Sequence, residues 1–184
     1  MMRRTRLFVW CVGSAAALLL AGCGRKPTAA KNPETAPPKQ NVPAAIFLTE
    51  APSGVMTVPT LKESAKEGDE VVVRGVVGGR GEPFVSGRAV WSLIEGTLPN
   101  LCTREGHGCT MPWDYCCATP EEKKPNMLTV QITGDDARPL AVDLQAAGKI
   151  KPMDTLVVKG TVGPRPTKDA LVLTATGIYV ELAK

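Results

Sequence analysis

Four cysteines, Cys102, Cys109, Cys116 and Cys117, fall within 16 residues of a 184-residue chain. Thiols gathered this closely can oxidise to disulfides, bind a thiophilic metal ion as thiolates, or carry electrons. The one histidine of the sequence, His107, stands between Cys102 and Cys109. Cys102, His107, Cys109 and one of the adjacent pair Cys116/Cys117 would make a tetrahedral site of three thiolates and one imidazole. The spacing lacks the paired C-x2-4-C knuckle of common zinc sites, and adjacent cysteines seldom serve one ion. In an exported chain an even, clustered set points first to two disulfides. The expected pairing joins Cys102 to Cys116 or Cys117 and Cys109 to the other, because a Cys116–Cys117 bridge needs a strained peptide. Metal binding through Cys102, His107 and Cys109 is the alternative, and redox-active thiols the third reading. His107, flanked by two glycines, also reads as a solvated loop residue. Trp113 and Tyr115 are the largest apolar surfaces of the segment. They are expected to pack over the disulfides as a small core, or, with Asp114 as a polar handle, to present a contact site for an envelope protein or a glycan.

Other chemistry is poorly provided for. There is no G-x-S-x-G, no H-E-x-x-H and no Gly-rich phosphate loop. Paired acids such as Asp135/Asp136 and Glu121/Glu122 read as solvated turns. The formal charge of +4 falls to +1 without the leader arginines Arg3, Arg4 and Arg6. So neutral a chain, only 4% aromatic, is not expected to bind nucleic acid. No enzyme activity and no cofactor are expected.

The N-terminus carries an address. Arginines are followed by an apolar run from Leu7 to Ala21, the layout of a secretory signal peptide over residues 1–22. Its end, Leu20-Ala21-Gly22-Cys23, resembles the bacterial lipobox. That resemblance implies acylation of Cys23 and cleavage before it, and hence a lipid-anchored protein of the cell envelope, outside the cytoplasm. Residues 23–60 then hold seven prolines, from Pro27 to Pro59, among Lys, Thr, Ala, Asn and Gln. Such a composition buries too little to offset its ordering entropy, so a disordered tether is expected. Within it, Ala45-Ile46-Phe47-Leu48 is an apolar island.

The elements that must position the cysteines follow in 61–184. Asp69 to Gly78 and Asp154 to Gly163 match position by position, both β-branched runs with a glycine inside, Gly75 and Gly160. Alternation places Val71, Val73 and Val77 on one face of the first, and Leu156, Val158 and Val162 on one face of the second. The glycines suit bends or bulges. Further strands are expected at 89–94, 128–133 and 171–182, the last slipping in phase at Gly177. One short helix is expected from Asp136 to Gly148, with a hairpin partner for 128–133 as the alternative reading. The order resembles the OB-fold: all-β with one short helix, a five-stranded barrel, and a Cys-rich insert (97–126) between strands two and three.

The segment Pro112-Trp113-Asp114-Tyr115-Cys116-Cys117 resembles one found in secreted bacterial lipoproteins of planctomycete type. That resemblance implies a family without a known activity. The functional expectation is a lipid-anchored extracytoplasmic binding or structural module. The alternative is a metal-binding or thiol-redox protein using the insert.

Overall fold

The structure, a computed structural model, describes residues 41–167 and 169–181. The signal peptide, Cys23 and the tether as far as Gln40 lie outside these residues. Strand β1 is Val55–Met56, helix α1 Val58–Ser64, β2 Glu70–Val77, β3 Val90–Ile94, helix α2 Pro120–Asn126, β4 Met127–Gln131, β5 Thr155–Val162 and β6 Val172–Glu181. The last five strands close on one another in the order β2-β3-β4-β6-β5, with β5 returning to β2. All contacts round this ring are antiparallel except β4–β6. The result is an all-β, OB-fold-like closed barrel.

The two echoing runs are direct neighbours. β2 and β5 pair from Glu70↔Thr161 to Val76↔Thr155. Val76 also faces Ile94, so β2 bends there and serves β5 and β3 at once. Both internal glycines mark close approaches. A Cβ on Gly75 would lie 2.8 Å from the Ile94 carbonyl oxygen, and one on Gly160 2.4 Å from that of Thr174. The register of β5–β6 breaks between Lys159 and Gly160, leaving Thr176 without an opposite residue. The phase slip at Gly177 is thus a β-bulge. Inside, Val73, Val77, Trp91, Leu93, Val130, Leu156, Val158, Leu173 and Ile178 form one core.

Three expectations need correction. No helix runs from Asp136 to Gly148. Asp136 accepts from the Arg138 N–H within a tight turn, Gly134 N–H bonds the Arg138 carbonyl, and Pro139 bridges Thr133. The Leu140 N–H then bonds Ile132, giving the hairpin extension of β4, and only a single turn follows, from Asp143 to Gly148. Leu140 and Leu144 are buried all the same, so their apolar spacing reflects burial rather than helical repeat. Second, among the described residues the α-helices are α1 and α2, two rather than one. Third, the domain begins well before residue 61. Ile46 is buried, Phe47 bridges Ile178 of β6, and Val58 and Leu61 of α1 are fully buried in the core. α1 starts where Thr57 accepts from the Thr60 N–H and Glu95 accepts from Val58 (2.9 Å). It ends where the Arg165 guanidinium donates to the Lys62 and Ala65 carbonyls. Among the described residues no helix is long and apolar enough to cross a membrane.

Candidate metal centre

The insert between β3 and β4 is built from two short 3-10 turns and α2. In the first, Leu101–Thr103, the Asn100 carboxamide oxygen accepts from the Cys102 N–H (3.0 Å). The Asn100 amide donates to the Pro112 carbonyl (2.8 Å) and so pins this turn to the second, Pro112–Asp114. Tyr115 follows in the left-handed region (φ 54°). That reversal costs a non-glycine residue about 1–2 kcal/mol, and burial of the Tyr115 ring accompanies it. It returns the chain so that Cys116 and Cys117 lie against Cys102. Burial also pushes the Tyr115 hydroxyl up in pKa, against the lowering effect of its bond with Asn100. α2 then leads to β4. Thr119 and Glu122 cap it reciprocally, and the Thr119 N–H holds the Glu122 carboxyl below its usual range.

Trp113 welds this unit to the barrel. Its indole N–H donates to the Gly81 carbonyl (2.8 Å), and its own carbonyl accepts from Gly79 (2.7 Å). A Cβ on Gly78 would stand 2.5 Å from that carbonyl oxygen, so only glycine admits the contact. Lys123 of α2 reaches the Asp114 carbonyl (3.4 Å). The three expected contact residues differ in burial. Tyr115 is buried, Asp114 half-buried, and half-buried Trp113 walls a cleft of about 250 Å³ with Glu82, Phe84 and Asp143.

The four cysteines converge, with no disulfide bond drawn between them. Sγ of Cys102 lies 3.1 Å from that of Cys116 and 3.8 Å from that of Cys117. Cys109 is 3.4 Å from Cys116 and 3.8 Å from Cys117, and the adjacent pair is 4.0 Å apart. All four sulfurs fall within 4.8 Å of one another. Four thiolates about 2.3 Å from one tetrahedral ion stand about 3.8 Å apart, which is the scale observed. His107 is exposed and outside this group. Of the alternative set expected from sequence, the structure brings Cys102, Cys109 and the adjacent pair Cys116/Cys117 together and leaves His107 out. Two glycines with positive φ, Gly106 and Gly108, carry His107 away in the loop.

The thiols share protons. Burial alone would push Cys102 up, but the Cys116 thiol and the Cys117 backbone N–H donate to it and bring it down to about 7. Cys109, bonded to Cys116 and Cys102, is pushed up to about 12, and Cys116 is raised chiefly by its bond with Cys102.

No family model matches the chain, and no curated protein matches it. Among solved structures, the OBody AM1L10 bound to hen egg-white lysozyme aligns with a TM-score of 0.37 and 16% identity, over 73% of this chain and 100% of that chain. That likeness is too slight to bear on function.

Proposed function

We propose that this is an exported, lipid-anchored, non-enzymatic barrel module whose insert binds one thiophilic metal ion through Cys102, Cys109, Cys116 and Cys117. One observation carries the reading: four thiol sulfurs of the insert meet at the spacing of a tetrahedral thiolate site. A set this close suits a single ion. Zinc is the first to test, being tetrahedral, content with four sulfurs and inert to redox. In an oxidising compartment, coordination would also keep the thiols from pairing. The lipobox-like Leu20-Ala21-Gly22-Cys23 supports the anchor.

The test uses the full chain with Cys11→Ser and Cys23→Ser, so that only the insert thiols report. Titration with cobalt or cadmium should give sulfur-to-metal absorption that saturates at one equivalent, and zinc should displace the cobalt. Cys102→Ser should weaken binding at least about tenfold. If the native chain is four hydrogens lighter than its reduced form, and the reduced chain takes up no metal, the insert is a disulfide scaffold and the reading fails. For the anchor, Cys23→Ser in the otherwise native chain should shift the protein from the membrane to the soluble fraction.

A further inference from the structure

We infer that the metal centre is a transfer site, whose partner is a molecule presenting thiolates of its own. This rests on the metal reading above and adds to it the fate of the ion.

Two observations carry it. The first is the gradient of exposure across the ligands. Cys102 is only 6% exposed, Cys109 is half-buried, and Cys116 and Cys117 are exposed. An ion held here has one buried anchor and an open side formed by adjacent sulfurs. The second is that the insert does not depend on its exposed sulfurs for attachment. Trp113 to Gly79 and Gly81, Asn100 to Cys102 and Pro112, and Lys123 to Asp114 tie it down through backbone and amide groups. Four cysteines would fill the ion's coordination shell, so exchange has to begin at a ligand that can be reached and released. Here the outer ligands can leave while the loop stays in place.

The chemistry is ligand exchange without change of oxidation state. An incoming thiol sulfur bonds the metal on the open side as the bond to Cys117 or Cys116 breaks, and the incoming thiol's proton passes to the departing cysteine thiolate. Repetition at the second exposed sulfur and then at Cys109 leaves the ion on Cys102 alone, from which it departs. Run backwards, the same steps load the site. Adjacent Cys116 and Cys117 allow a dithiol partner to replace both at one point of approach.

The experiment loads the same Cys11→Ser/Cys23→Ser chain with one equivalent of cadmium and mixes it with excess 2,3-dimercaptopropanol, following loss of the protein's sulfur-to-cadmium absorption. The rate should rise in proportion to dithiol, about tenfold for a tenfold increase. In parallel, limited alkylation of the loaded chain should label Cys116 and Cys117 first and Cys102 last. A rate independent of dithiol concentration, or equal labelling of all four cysteines, overturns the transfer reading while leaving metal binding intact. A chain that takes up no cadmium overturns both. Cys117→Ser, which opens the exposed side further, should speed transfer at least about fivefold if it still binds; an unchanged rate counts against the proposal.

Discussion

The missing side chain of Gly160 decides how closely β5 and β6 approach. A Cβ there would lie 2.4 Å from a backbone oxygen that cannot swing aside. Gly160→Val should therefore destabilise the barrel by roughly 1–3 kcal/mol through overpacking and strain, read as a lower denaturation midpoint with an unchanged m-value. This residue was legible in the sequence, because a glycine inside a β-branched run has few other reasons to be there. The sulfurs were legible only as a group. Their number and clustering showed in the spacing, but their convergence depends on Tyr115 reversing the chain, and nothing in its side chain announces a left-handed backbone. A second prediction lives at this scale. Cys109 and Cys116 hold their protons above the ordinary thiol range, and a metal must displace them. Protons compete with the ion, so affinity should fall as pH falls from 8 to 6, by at least about 100-fold per unit from these two thiols alone, and more steeply below about pH 7 where Cys102 also takes up its proton. Competition titrations against a chelator at several pH values measure the slope; a flat profile would count against thiolate ligation.

At the scale of elements, the insert is an assembly of turns rather than a loop, and Asn100 is its clasp. Asn100→Ala removes the acceptor for Cys102 and the donor to Pro112. It should weaken cadmium binding about tenfold while leaving the barrel's melting temperature nearly unchanged, since none of the strands uses this residue. Calorimetry and metal titration on one sample separate the two effects. The strands were legible because alternation is a strong signal, and all five barrel strands lie where it puts them. The helices were not. Leu140 and Leu144 share helical spacing but arrive in the core from a hairpin and a single turn. The true α2 had its signature in Thr119-Pro120-Glu121-Glu122, a capping box with proline in the first turn, hidden because its glutamates look like solvent-facing charge. α1 had Thr57 and Pro59 at its start, masked by the prolines around it.

At the scale of the whole molecule, the barrel takes part of its core from the stretch that composition assigns to a tether. Proline content describes how a segment behaves alone, not whether a hydrophobic surface waits for it. Ile46 and Val58 supply core side chains, and a fragment starting at residue 61 would lack them and the first turn of α1. Such a fragment should lose on the order of 4–8 kcal/mol relative to one starting at 41, comparable to the whole stability of many domains. Circular dichroism melts of the two fragments decide it; equal midpoints would show the segment to be dispensable. The same packing has a mechanical side. If residue 23 is fixed to a bilayer, drag on the protein reaches the domain from its N-terminal end, through the strap at Ile46, Phe47 and Leu48. The Leu48 N–H is bonded to Ile178 (2.8 Å) and Phe47 lies parallel to β6 beside it. Load therefore meets a short strap first, then β1 and α1, and the closed strand ring only after these have peeled away. Stretched in an optical trap from its N-terminus, the molecule should lengthen in two steps, a small early one and a large late one. The strap would then act as a fuse ahead of the barrel.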